Sequence, residues 1–487
     1  MGIGNRLIKN TGFVFISGIA GKLFSFFFIV YAARVLGPAD FGLYAFTGTV
    51  ALLFSAFGNF GIVPMAIREI SRDKTKVGAL FSHILSLRVG IVLLLYPVLL
   101  LAINILGYSS DVKYLVSVAG LSCVFSAFSS SFRILYVAFE RFKTPSLIAI
   151  LVSFFSTLSH IIILYYGYGL KGIIWVSFFG NLMGAVISGI WIRRKFFKYK
   201  FAFDLSVCKD LLLQSTPFAV LFFFQQVTNN INILLLSRLP GPLPGETAMG
   251  YYNPPSSVCR NVLLFPESFR QAALPAVSSN AGNPEIIKGI IANSTKSLLA
   301  LVVFPLILAT TFFPEEIISL VFGKEYLPSA PALTILGWAY ALQVLNSPVT
   351  VTLSASREIK KFIPWAALEF CINIALAVPL IIYYSFTGAA IALLVTKVFE
   401  TFLRNYLLKS IWGIKRAEAP GSLWRILFPM GIIFVVLLFA HRSSLSNVGL
   451  LILALVSYST YIFSFKGFRE RIALHVNRLK ERYWLVK

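Results

Sequence analysis

The chain has 487 residues, of which 57% are apolar and only 13% charged, with a mean hydropathy of +0.81. Soluble domains carry about 25% charged residues, so an ordinary soluble globular protein is excluded. The net charge of +24 would suggest a nucleic-acid partner in a soluble chain; in a membrane chain what matters is where the charge lies, and no nucleic acid is expected.

The N-terminus, 1–10, is short and basic, and the apolar run that follows is too long for a signal-peptide core and has no small-residue cleavage site, so it reads as a first span. A 30 Å hydrocarbon core at 1.5 Å per residue asks for about 20 apolar residues per crossing. Apolar runs between charged or Gly/Pro punctuation then predict fourteen spans, at 11–33, 44–66, 80–106, 114–138, 145–166, 172–192, 211–236, 250–275, 297–313, 327–352, 363–384, 386–408, 423–441 and 447–465. The eighth is the least hydrophobic. Connecting loops are short, which leaves no room for a separate catalytic domain. With both termini cytoplasmic, thirty of the 43 Lys/Arg fall in cytoplasmic segments (Arg425, at the edge of its span, among them) and six in the opposite loops. That asymmetry is what the positive-inside bias predicts for a multi-pass protein of the cell membrane, and an error of one span in the middle would destroy it. The tail, 466–487, reads equally as an interfacial basic helix or a solvated basic tail.

Two halves of the sequence repeat. Arg34-Val35-Leu36-Gly37-Pro38 leading to Phe41-Gly42-Leu43-Tyr44 has a counterpart in Arg238-Leu239-Pro240-Gly241-Pro242 leading to Met249-Gly250-Tyr251-Tyr252. Pro64 matches Pro275, Glu140-Arg141-Phe142-Lys143 matches Arg357-Glu358-Ile359-Lys360, and Gly172 matches Gly388. Six spans per copy gives parallel repeats, an arrangement of transporters that alternate around a midplane site. The predicted organisation is an all-α polytopic membrane protein. It comprises a first lobe over 1–200 (spans 1–6), a second over 201–412 (spans 7–12), two extra C-terminal helices over 413–465, and the tail; the pseudo-symmetric six-helix lobes flank a central cavity.

Charge at membrane depth costs about 2.5–3.5 kcal/mol per residue on insertion scales, so the residues found there are candidates for function. Lys22 shares a helical face with Gly18, Gly21 and Ser25; this is either a polar cavity stripe or a close helix crossing. Asn59 belongs to span 2. Span 7 carries Gln225, Asn229 and Asn232, which either line a wet cavity or join helices by amide hydrogen bonds. Asn253, Arg260 and Glu267 recur at seven-residue steps in span 8, with Arg270 nearby, and read as cavity lining. Lys397, Glu400 and Arg404 are spaced for pairing within one helix. Glu369, one turn before Asn373, is a candidate coupling acid or an answer to an arginine, as are Glu267 and Glu400. Arg133, beside Ser129–Ser131, and Arg88 either meet phosphates or extend to the interface, the latter preferred for Arg88. Seven cations at depth face three acids, a balance that suits an anionic substrate such as a pyrophosphate, because guanidinium groups grip phosphate through paired hydrogen bonds. The expected substrate-binding cations are Lys22, Arg133, Arg260 and Arg270, with Ser25, Asn59, Gln225, Asn229 and Asn253 as polar lining. Cys123, Cys208, Cys259 and Cys371 have no metal or redox spacing, and neither a metal site nor a catalytic group is read.

The basic N-terminus, the span with an embedded lysine, and Arg34-x-Leu36-Gly37-Pro38-x-x-Phe41-Gly42-x-Tyr44-Ala45 together resemble the polysaccharide-transporter branch of the multidrug/oligosaccharidyl-lipid/polysaccharide exporter superfamily. The resemblance spans essentially the whole chain. It implies a V-shaped pair of bundles with spans 1, 2, 7 and 8 lining a cationic cavity, on which Lys22, Arg260 and Arg270 fall. It further implies movement of polyprenyl-pyrophosphate-linked oligosaccharide from the cytoplasmic to the outer leaflet, coupled to a proton or sodium gradient, without a cofactor. Partners would be the lipid-linked oligosaccharide, membrane lipids and other polysaccharide-assembly proteins. The second-lobe turn departs from the pattern through Pro240 and the insert to Glu246. Rival readings are a lipid-linked peptidoglycan precursor flippase, a multidrug exporter of the same fold, and a membrane enzyme of glycan polymerisation or ligation, against which the short outer loops argue.

Overall fold

The structure, a computed structural model, describes residues 3–72, 77–139, 143–195, 204–279, 283–355, 362–413 and 430–437, together with 449, 452, 453, 456 and 458. Among these residues every regular element is helical. The helices are α1 (Ile3–Asn59), α2 (Ile62–Arg72), α3 (Val77–Ile105), α4 (Ser110–Ala138), α5 (Lys143–Tyr165), α6 (Gly169–Lys195) and α7 (Leu205–Leu236). They continue with α8 (Gly245–Asn261), α9 (Leu264–Ser279), α10 (Pro284–Leu298), α11 (Phe304–Phe312), α12 (Pro314–Val321), α13 (Ala330–Ala355) and α14 (Ile363–Trp412).

Two of these helices are each two membrane crossings. Phe28 and Tyr44 lie sixteen residues apart along α1, yet their ring centroids are 5.8 Å apart; a straight helix would separate them by about 24 Å. The chain therefore doubles back, and it does so at Gly37, whose φ of 71° is open to glycine at little cost. Pro38 follows, a residue suited to a helix start. In α14 the Asn373 amide donates to Thr396 Oγ1 at 3.1 Å, where a straight helix would place the two about 35 Å apart. The reversal is at Ser385, with φ 50°. Both turns fall where the apolar runs break. Among the described residues eight helices are long and apolar enough to cross a membrane, the doubled Ile16–Asn59 and Ile363–Ser410 among them. With the doubled helices counted twice, and α13 and the α8–α9 pair in the places of spans 10 and 8, the first twelve expected crossings are accounted for. Spans 13 and 14 fall mostly outside the described residues, of which 430–437 are helical; the basic tail lies wholly outside them.

Two expectations are corrected. Span 8 is not one helix: the ladder breaks at Val262 and Leu263, which form short-range bonds to Cys259 and Arg260. The seven-residue steps from Asn253 through Arg260 therefore do not carry across to Glu267. Span 9 begins earlier than residue 297, because α10 runs from Pro284 through a π-turn (Leu299–Val303) into α11. Asn283 caps its start by accepting from Ile286 N, which stabilises a helix end by about 1 kcal/mol.

By internal contact the chain divides into two compact units. One comprises Met1–Ser257, Ile318–Ala332 and Glu358–Thr396; the other comprises Val258–Ile317, Leu333–Arg357 and Lys397–Lys487. The first holds a core in which Ile62, Met65 and Ile70 of α2 meet Phe81, Ile84 and Leu85 of α3 and Phe132 and Leu135 of α4. Side chains facing lipid are apolar too: Leu94, Ile105, Tyr165 and Phe402 are each at least 70% exposed. In water such exposure would be costly; in hydrocarbon it is the expected solvent face.

Candidate functional site

The motif residues assemble, within the first unit, into a seam at the end of the bundle away from the N-terminus. The second arm of α1 crosses α8 so closely that backbone meets backbone. A Cβ on Gly42 would lie 1.9 Å from Glu246 O and 2.8 Å from Gly250 N; one on Gly250 would lie 1.8 Å from Pro38 O. Only hydrogen fits at either position. The flanking contacts are reciprocal. Tyr108, in the α3–α4 turn, shares a 2.9 Å hydrogen bond with Ser237 Oγ, while Tyr326 donates to Ala33 O at 2.8 Å. The Arg238 guanidinium sits 4.2 Å over the Tyr108 ring, while Arg34 donates from Nε to Val321 O at 3.0 Å and from Nη2 to Leu320 O. Arg34 thereby satisfies carbonyls at the C-terminus of α12, where a cation also complements the helix dipole. Each first-half residue has its partner about 204–218 positions on: Ala33 with Ser237, Arg34 with Arg238, Gly42 with Gly250, Tyr108 with Tyr326. The repeat is thus present in the contacts as well as in the string. Burial, with Glu325 nearby, holds the Tyr326 hydroxyl well above the ordinary phenol range, so it stays a donor.

The expected cavity cations are distributed over several helices. Lys22 is half-buried on α1. Of its small neighbours, Gly21 faces Ser153 of α5, where a Cβ would sit 3.5 Å from the serine oxygen, whereas Gly18 has open space and Ser25 is exposed. The stripe is therefore split between a helix crossing and an open face. Gln225 is exposed and Asn229 half-buried on α7; half-buried Asn59 ends α1 with its Oδ1 buried and unpartnered among the described residues. On α8 Asn253 accepts from Ser257, and Arg260 is half-buried in the last turn. Arg270, taken from sequence as a cavity cation, is half-exposed and locked to Glu267 by a two-pronged pair, with Nε to Oε2 at 2.9 Å and Nη2 to Oε1 at 2.5 Å. Its charge is answered one turn away. Glu400, 2% exposed, accepts from Lys397 at 2.6 Å and also pairs with Arg404, so three charges spaced i, i+3 and i+7 leave one net positive charge. Glu369 is half-buried on the first arm of α14. Arg133 is exposed on α4. Arg88, expected to extend to the interface, is instead 3% exposed and bonded to Ser131 and Ser130.

Two buried amides, Asn232 and Asn373, join helices at depth. Asn232 donates to Ala389 O at 3.2 Å and lies 3.4 Å from the Tyr252 hydroxyl; Asn373 donates to Thr396. The Oδ1 of each is buried without a hydrogen-bond partner among the described residues. Asn346 joins Thr401 at 2.8 Å in the other unit. Their spacing within apolar spans signals polar groups at depth, but which ones meet depends on how the arms of α14 fold back.

Among the described residues the chain is an all-helical bundle with two doubled helices and reciprocal turn contacts. The fold is similar to that of a lipid II flippase, MurJ, in an inward closed conformation, with a TM-score of 0.73 at 18% identity over 94% of this chain and 99% of that one. It is also similar to an inward-facing multidrug resistance MATE family transporter of the MOP superfamily, with a TM-score of 0.65 at 13% identity over 80% and 95% of the two chains. Residues 7–281 match the model of the polysaccharide biosynthesis protein family, and the chain belongs to that family. Among its relatives, the capsular polysaccharide biosynthesis protein CapF of Staphylococcus aureus is 22% identical over 83% of this chain and 100% of its own length. The probable low-salt glycan biosynthesis flippase Agl15 of Haloferax volcanii is 26% identical over 35% of this chain and 36% of its own length.

Proposed function

We propose that the protein translocates a polyprenyl-pyrophosphate-linked oligosaccharide from the cytoplasmic to the outer leaflet of the cell membrane by alternating access. The observation that carries the reading is the reciprocal seam: one backbone crossing of α1 and α8, permitted by Gly42 and Gly250, closes one end of the first unit through contacts that side chains, not covalent links, hold. With both termini cytoplasmic, that end is the outer one. The membership in a polysaccharide biosynthesis family and the similarity to a probable glycan biosynthesis flippase support the substrate class.

In this mechanism the protein performs no chemistry on the substrate. Lys22 and Arg260 meet the pyrophosphate, replacing water that hydrocarbon cannot supply, with Arg133 as a further cation, whereas Arg270 is already answered by Glu267. The glycan passes through a polar path lined by Ser25, Asn59, Gln225, Asn229 and Asn253 while the lipid tail remains in the bilayer. Glu369, one turn from Asn373, is the coupling acid for a proton or sodium ion. Loss of one charge-assisted contact is worth about 1.5–3 kcal/mol, roughly ten- to hundredfold in an equilibrium or rate. In proteoliposomes loaded with fluorescent lipid-linked oligosaccharide, Lys22→Ala and Arg260→Ala are each expected to slow translocation at least about tenfold. Unchanged rates in both variants would remove these residues from the substrate path.

A further inference from the structure

Arg88 poses a problem that the transport reading does not solve. Its side chain is 3% exposed within the first unit. Nη1 donates to Ser131 Oγ at 2.7 Å and Nη2 to Ser130 Oγ at 3.0 Å, but both serines spend their own hydrogens on Ala127 O, at 2.8 and 3.2 Å. They offer the guanidinium dipoles and no charge. Among the described residues Nε is buried with no hydrogen-bond partner, and so is Ser129 Oγ on the adjoining turn of α4. Among the described residues no carboxylate pairs with Arg88, and the charged group that acts on it is another cation, Arg133. An isolated buried charge costs several kcal/mol, and a like charge nearby adds to the cost.

We infer that Arg88, Arg133 and the Ser129–Ser131 hydroxyls form a phosphate-binding site in the first lobe. The chemistry matches. Two guanidinium groups supply planar donor forks of the kind that hold tetrahedral oxyanions, and Ser129 has an uncommitted hydroxyl to donate. Arg133 is exposed, so the ligand is bridged between a buried and an accessible cation. The depth fits a headgroup. Arg88 lies eleven residues into α3 and Arg133 five residues before the end of α4, about 16 Å and 8 Å from the helix ends on the side where α3 begins. The phosphate belongs either to a membrane lipid or to free inorganic phosphate. The site stands whether or not the transported lipid ever occupies it.

The test uses the full chain in lipid-free maltoside micelles, with thermal unfolding followed in two arms. One arm titrates inorganic phosphate against potassium chloride at matched ionic strength; the other titrates phosphatidate against an uncharged diacylglycerol. A ligand that binds only the folded state raises the unfolding temperature, so phosphate, phosphatidate or both should raise it by a few degrees while chloride and diacylglycerol do not; the arm that responds identifies the source. Arg133→Gln, at an exposed position that leaves the core untouched, should weaken the apparent affinity about tenfold, as loss of one charge-assisted contact does. Arg88→Met should abolish the ligand-dependent shift yet unfold at a higher temperature than the parent chain in phosphate-free buffer, because it removes an uncompensated charge while keeping the side chain's length. Silence in both arms overturns the site, as does a shift that Arg133→Gln retains at full affinity. If Arg88→Met does not fold, Arg133→Gln decides alone.

Discussion

Gly42→Ala should slow translocation by at least about fivefold while leaving the protein folded. The added methyl would sit 1.9 Å from Glu246 O, far inside van der Waals contact, and that atom is backbone, which no rotamer change can move. The helices must separate by more than an ångström, at the 1–3 kcal/mol typical of overpacking, and the whole penalty falls on the state in which the seam is closed. A shift of that size changes the ratio of closed to open states by about five- to more than a hundredfold. Gly250→Ala, blocked at 1.8 Å by Pro38 O, should behave the same way, since the two glycines are each other's counterparts. Flux in proteoliposomes and labelling of single cysteines in the α3–α4 turn read the two consequences together: slowed transport and raised accessibility at the seam. Normal flux with unaltered labelling in both glycine variants would show that the seam is not a moving part. Tyr326→Phe makes the milder companion. It loses one hydrogen bond to Ala33 O, worth about 1 kcal/mol, and should raise labelling less than either glycine variant.

Glu400→Gln should be the most destabilising single substitution among the membrane charges. Glu400 is 2% exposed and the Lys397 side chain 4%, and the carboxylate is shared with Arg404. Removing it strands two cations inside the bundle, and breaking a buried pair from one side costs about 3–5 kcal/mol. Detergent-solubilised Glu400→Gln is expected to unfold well below the parent chain. The double change Glu400→Leu with Lys397→Met, which removes the acid and the buried base together, should recover most of the loss. A double variant no better than Glu400→Gln would mean that the triad serves something other than mutual neutralisation.

How much of this was legible follows from where the forces are local. The two reversals in mid-helix were readable, because Gly37-Pro38 is turn chemistry and the apolar run halts at Ser385. The break in span 8 was not: Asn261 through Leu264 contains no proline or glycine, and the seven-residue spacing of Asn253, Arg260 and Glu267 looked like one face. The Glu267–Arg270 pair was available at i, i+3 spacing but was outweighed by that longer pattern. The start of α10 was missed because its first turns are amphipathic and less apolar than the span they feed. Arg88 was assigned to the interface because its depth was legible and its neighbours were not; Ser130 and Ser131 lie more than forty residues away in sequence.

By itself the sequence determined that this chain lives in a membrane, where its first twelve crossings fall, and that its two halves carry matching turn motifs. Those properties depend on transfer of contiguous segments into hydrocarbon and on local turn chemistry, which each stretch carries within itself. Only the tertiary structure decided which glycines touch, which cations are answered by a carboxylate, and which one is left buried beside serines. Such outcomes turn on distances of a few ångströms between helices far apart in the chain, where both packing and Coulomb energies change steeply.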